Sequence, residues 1–181
     1  VASEADLGDP SVVELCGLSP SPVYDLDVRG LGQSLPEEQR PGTPDGGFFQ
    51  PYGMDYMMHA YGLMLGQSYL GRRVFDALST MDLLCQEGAV SIHLVGRGQG
   101  AVIALLSALF HKQVTALTMV NGPESWLEWT QTPWVSWPTA NFPYGVLGFC
   151  DLPDCVRVVR DRLGTERVRI VEPWGPTMQV E

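Results

Sequence analysis

The sequence predicts an α/β fold, a mostly parallel sheet with helices on both faces, and three observations lead there. Short strands that are apolar on both faces alternate with helical stretches, the pattern of a sheet covered from two sides. The segment "SIHLVGRGQGAVIALLSALF", Ser91 to Phe110, sets an apolar strand, a glycine-dense turn and an apolar helix in immediate succession. A length of 181 residues with 45% hydrophobic and 18% charged content suits one globular domain.

Taken in order, residues 1–22 read as a polar leader, and "SPVYDLDVRGLGQS" predicts a strand from Val23 to Val28 that stops at Gly30 and Gly32. Residues 35–53, with Pro36, Pro41, Pro44 and Pro51, predict an exposed excursion, because proline removes helix and ladder hydrogen bonds. Two helices follow, "DYMMHAYGLML" and "GRRVFDALSTMDLLCQEG". In the second, Val74, Leu78, Met81 and Leu84/Cys85 share one face and Gly88 ends it. Strand Ile92 to Val95, helix Gly100 to Lys112 and strand "VTALTMVNG" complete the central unit. A tryptophan-rich excursion over 123–150 breaks the rhythm before helix "DLPDCVRVVRDRLG" and a last strand in "ERVRIVEPWG". There is no internal repeat and no low-complexity tract.

Eleven Lys and Arg against 21 Asp and Glu give a formal charge of −10, which repels phosphate backbones and anionic membrane surfaces. No run approaches the ~20 apolar residues that span a bilayer. Neither nucleic acid nor membrane is therefore an expected partner. The opening "VASEADLGDP" has no initiator Met and no signal-peptide layout, so Val1 is read as a cut end. Cys16, Cys85, Cys150 and Cys155 fit no C-x-x-C pair or zinc spacing and read as buried or free thiols. No metal and no cofactor are expected.

The chemistry centres on Gly96-Arg97-Gly98-Gln99-Gly100, which has the layout of a G-x-S-x-G nucleophile elbow with glycine at the apex. Glycine offers no attacking atom, so no catalytic residue is assigned at this degenerate elbow. Gly98 would meet the strained apex conformation at little cost. The ligand-binding candidates are Arg97, Gln99, Gly100, Trp126 and Trp129. The Gln99 and Gly100 amides, at a helix start, suit a carboxylate or an ester oxygen. Arg97 suits an anion or a carboxylate partner. Trp126 and Trp129, with Trp134 and Trp137, either stack on sugar rings or plug the crevice. Of three histidines, His93 in the elbow strand reads as a hydrogen-bonded core residue, and His111 lies at a helix C-terminus. His59 has Asp55 one turn before it, as an orienting group would be placed, but no serine in a context that marks it as a partner.

Three segments carry a resemblance. Asp27-Val28-Arg29-Gly30-Leu31-Gly32-Gln33-Ser34 resembles the D-x-R-G-x-G-x-S run that follows a central strand in many α/β hydrolases. Gly96 to Gly100 sits where their elbow lies, and Val120-Asn121-Gly122 ends the next strand. Further, "PYGMDYMMHAYGLMLGQSYLGRRVFDAL", "DLPDCVRVV" and "VRIVEPWG" are similar to the second hydrolase-like unit of large bacterial acetyl-xylan-esterase-related proteins, a likeness running from about Val23 to Gly175. It implies a single α/β-hydrolase-like domain, 1–181, incomplete at both ends. Earlier strands and one oxyanion donor would precede Val23, and a final strand and catalytic His would follow Glu181. The acid expected after the strand ending near Glu172 is missing from "PWGPTMQVE".

The expected function is a degenerate hydrolase-fold module, non-catalytic itself, that supports a carbohydrate esterase. One alternative is an active carboxylic ester hydrolase on acetylated polysaccharide with catalytic residues elsewhere in a longer protein. Another is a sugar or small-acid binding module. The implied partner is another domain or segment of the same protein that supplies missing strands, with polysaccharide as a further candidate. The esterase resemblance implies an extracellular or periplasmic setting.

Overall fold

Strands β1 (Ile92–Arg97), β2 (Val114–Val120) and β3 (Val168–Val171) lie side by side in that order, both pairs parallel. They belong to a computed structural model that describes residues 22–34 and 53–179. Helices α1 (Gly53–Met64) and α2 (Tyr69–Gln86) precede the sheet. Parallel neighbours need crossovers, and α3 (Gln99–Phe110) supplies the first. Between β2 and β3 the chain forms α4 (Trp126–Gln131) and α5 (Leu152–Leu163).

The predicted elements appear with shifted ends. β1 runs two residues beyond Val95 because Gly96 and Arg97 keep pairing with Met119 and Val120. The predicted leader, most of the 35–53 excursion, and Cys16 lie outside the described residues.

The structure corrects three expectations. First, residues 22–28 form no strand. Val28 is fully buried, and Leu26 and Leu31 pack on the core, so the apolar alternation marked burial and not pairing. Alternation records which side chains turn inward, whereas a ladder also needs a neighbouring strand. Second, the tryptophan-rich stretch contains α4. Ser125 accepts a hydrogen bond from the Glu128 amide at 3.2 Å, and the S-x-x-E pattern of a helix start stood in the sequence.

Third, the main core cluster packs on one face of the sheet, and the other face is covered only in part, with Thr118 and Val120 buried. Ile92, Leu94, Leu117, Met119 and Val168 join α2, α3 and α5 in a single cluster. Val95, Ala116 and Val171 on the other face stand outside that cluster and are half-buried, and His93 and Arg169 are exposed. His93, Arg97, Thr118 and Arg169 all fall on that second face, a polar signal that reading the strands as apolar on both faces passed over.

The α3 helix sits tightly against β1 because of its glycines. A Cβ at Gly96 would lie 2.2 Å from the Gly100 carbonyl oxygen, a backbone atom with no freedom to move aside. Among the described residues, no helix is long and apolar enough to cross a membrane.

Candidate functional site

The C-terminal ends of the three strands form one edge, the usual location of sites in parallel sheets. Each strand ends on a residue with positive φ: Gly98 at +54°, Asn121 at +51° and Glu172 at +44°. Left-handed backbone at non-glycine residues stores strain and gathers at functional edges.

Gly98 has φ 54° and ψ −119°, the first corner of a type II′ turn. Its amide donates to the Val120 carbonyl at 2.8 Å, which ties the apex to β2. An added Cβ there would meet nothing within 4 Å. The apex residue itself is buried, yet the direction a side chain would take from it is unfilled, and α3 begins directly behind it with no side-chain cap from Gly98. Gln99 and Gly100 lie in the first turn of α3, where backbone amides and the helix dipole favour negative charge.

Beside the apex stands a buried ion pair. Arg73 is fully buried, and its two terminal nitrogens meet Asp55 at 2.5 and 3.0 Å. The Gln99 side chain reaches the same carboxylate at 3.4 Å, so this candidate ligand group is already engaged with α1. Arg73 also donates to the Arg29 carbonyl at 3.0 Å, joined by the Tyr69 hydroxyl at 3.3 Å. The D-x-R-G-x-G-x-S run is thus a fastened loop. Asp27 accepts from the Gln33 amide at 2.8 Å, and Ser34 donates to the Asp27 carbonyl at 3.0 Å. Arg29 pairs with Asp76 of α2. Burial alone would raise the Asp76 carboxyl, but hydrogen bonds from Arg29 outweigh it and hold the group below its ordinary value.

Arg97 donates to the Asn121 side-chain oxygen at 3.1 Å and lies 5.6 Å from the Trp174 ring centre. Asn121, nearly buried, donates onward to the Glu172 carbonyl at 2.9 Å. This amide links all three strand ends, a role that sequence reading missed. Its signal was an asparagine directly after a strand, a residue type that tolerates left-handed backbone. Glu172 immediately follows β3, so an acid does stand there, and its carbonyl rather than its carboxylate makes the bond to Asn121.

The histidines do not converge on the apex. His93 is exposed on the sheet's outer face rather than in the core, with Nε2 2.9 Å from the Thr118 hydroxyl. The reason is that β1 is an edge strand among the described residues. His111 is buried at the end of α3, 3.3 Å from Asp82. His59 is half-buried, and loss of hydration lowers its pKa against the opposing pull of Asp55.

Trp126 and Trp129 are 3% and 4% exposed, so neither offers a face to a ligand. Trp129 stacks on Trp137 at 5.6 Å and touches Phe142 at 4.6 Å, while the Trp137 indole donates to the Gly175 carbonyl at 2.9 Å. Trp134 alone of this group is exposed. A separate cleft of about 710 Å³ opens beyond β2 and β3, floored by Met119, Ile170 and Pro173 with Arg157 and Arg160 at its side. Among the described residues, no group of three or more His, Cys, Asp or Glu is placed to hold a metal ion.

Asp151 joins the excursion to α5. It caps α5, and its carboxylate accepts from the Ser125 hydroxyl at 2.5 Å and from the Trp126 and Leu152 amides, each at 2.7 Å. Burial pushes its pKa up, yet these hydrogen bonds prevail and leave it below its ordinary 3.8. A depressed carboxylate stabilises the fold above the unfolded pKa and loses that contribution as pH falls through the folded value. Asp151→Ala is therefore expected to cost about 1–2 kcal/mol at neutral pH. The deficit against the parent should shrink as pH drops below 3.8. Urea midpoints across acidic pH measure this, and a constant deficit would contradict it.

Comparison with protein-family models, with curated proteins and with solved structures finds no match to this chain. What fold and geometry define is an α/β protein with, among the described residues, a three-stranded parallel sheet in which Gly98 makes the turn from β1 into α3.

Proposed function

We propose that this chain is a degenerate α/β-hydrolase-like module, non-catalytic at its elbow, that supports a carbohydrate-esterase unit of the same polypeptide. One observation carries the reading: Gly98, buried and with positive φ, brings no side chain to an apex where an added Cβ would meet no atom within 4 Å. A turn with no side chain to present has no evident need of such angles, so the geometry fits a site that once presented a nucleophile. The edges of β1 and β3, unpaired among the described residues, agree with a covering segment from elsewhere in the polypeptide. The buried faces of Trp126 and Trp129 weigh against a sugar platform.

Hydrolysis of p-nitrophenyl acetate should be no faster than with a surface-matched control protein, and fluorophosphonate probes should leave the chain unlabelled. Stoichiometric labelling would instead favour an active ester hydrolase. Gly98→Ser should lower stability by about 1–2 kcal/mol through its positive φ. It should restore little activity, because nucleophile, base and acid act as a unit and the added hydroxyl supplies only one of them. A rise of several orders of magnitude would refute the reading.

A further inference from the structure

The start of α5 holds two cysteines at positions that meet by the geometry of helix starts. Asp151 is the N-cap, with a capping box completed by Asp154. Cys150 then occupies the position before the cap and Cys155 the fourth helical position. These two places pack together in the hydrophobic staple that commonly accompanies a capping box. Here the two staple positions are cysteines, Cys155 within the core cluster and Cys150 packed against it. Cys155 is 5% exposed within the core, Cys150 is half-buried against it, and neither is bonded to another cysteine. The Cys150 amide also donates to the Val146 carbonyl at 3.0 Å, so this residue ends the excursion and touches α5 at once.

We infer that Cys150 and Cys155 are a redox-active pair that closes to a disulfide by exchange with a small-molecule disulfide of the glutathione type. Cys150, the more exposed, attacks first as thiolate. Its sulfur bonds to one oxidant sulfur, the oxidant's S–S bond breaks, and the released thiolate takes up a proton. Cys155 then loses its proton and attacks the Cys150 sulfur, expelling the second small thiol. The protein loses two hydrogens and two electrons, and the oxidant gains them. Burial foremost, and then the neighbouring Cys150 thiol, push Cys155 up to about 12, which suits a resolving thiol rather than the first attacker. Once Cys150 is in mixed disulfide, its share of that effect is gone. Closure would lock the end of the excursion onto α5 around Asp151, the residue that also holds Ser125 and Trp126.

The folded chain is treated with glutathione disulfide, alkylated with iodoacetamide and cleaved with trypsin. The fragment running from after Lys112 to Arg157 contains both cysteines and no other. It should emerge unalkylated, lighter than the reduced fragment by two hydrogens, and should regain both alkylation sites after dithiothreitol. Two alkylated cysteines, or a bridge from either to Cys85 or Cys16, would overturn the assignment. Cys155→Ser should trap glutathione on Cys150, whereas Cys150→Ser should leave Cys155 unmodified over the same time. Glutathione on Cys155 at an equal rate would contradict the order of attack. Closure of the mixed disulfide should be roughly tenfold or more faster in the folded chain than in concentrated urea, because folding holds the sulfurs together. Equal rates would show that sequence nearness alone accounts for the bond.

Discussion

Replacing Arg73 with methionine is expected to destabilise the fold by about 3 kcal/mol, the low end of what breaking a buried ion pair costs. Methionine fills similar volume, so the loss is electrostatic and not a cavity. Asp55, whose side chain is 22% exposed, would keep among the described residues the long contact to Gln99. The Arg29 carbonyl would lose its guanidinium donor, and the Tyr69 ring its cation at 4.5 Å. Three segments meet at this one side chain, α1 through Asp55, the 27–34 loop through Arg29 and α2 through its own backbone, and α3 joins them through the Gln99 contact to Asp55. Lysine keeps the charge but cannot form the two-pronged contact, so Arg73→Lys should recover only part of the loss, leaving about 2 kcal/mol. Urea denaturation followed by tryptophan fluorescence measures both. A cost below about 0.5 kcal/mol, the range of ordinary surface changes, would show that water replaces the guanidinium without penalty.

Trp129→Ala is expected to cost about 3–5 kcal/mol, since a large ring buried among Trp137 and Phe142 leaves a cavity that the neighbours cannot fill. Trp134→Ala, at a side chain 77% exposed, should change stability by less than about 0.5 kcal/mol. Thermal melts of the two variants decide between a plug and a platform when paired with xylo-oligosaccharide titrations of tryptophan fluorescence. The plug requires an unstable Trp129 variant and no saturable response to sugar in the parent. Saturable quenching that vanishes in Trp129→Ala with the melting temperature unchanged would reverse the conclusion.

The elbow was the most legible feature because its signal is local. A strand, glycines at alternate positions and a helix follow one another within a few residues, and Gly96 and Gly98 each have a separate geometric reason. The α5 boundaries were similarly visible, since Asp151 and Gly164 are the residue types that cap helices. What surrounds the apex was not visible. Arg73 sits in α2 and Asp55 in α1, and helical spacing does not reveal that the two face each other across a buried gap. Asn121 was read as the end of a strand, and only its contacts with Arg97 and Glu172 show that it ties three strand ends together.

By itself the sequence determined the α/β class, the run of α1, α2, β1, α3 and β2 with α5 and β3 after it, and the glycine that turns β1 into α3. Each depends on side-chain periodicity or on a single residue's covalent structure, which neighbours in space do not alter. Tertiary structure decided whether Val23 to Val28 pairs and whether the tryptophans are open or buried. It also decided that Cys150 and Cys155 meet. These outcomes depend on which surfaces come together, and an apolar residue carries the same signal whichever surface covers it.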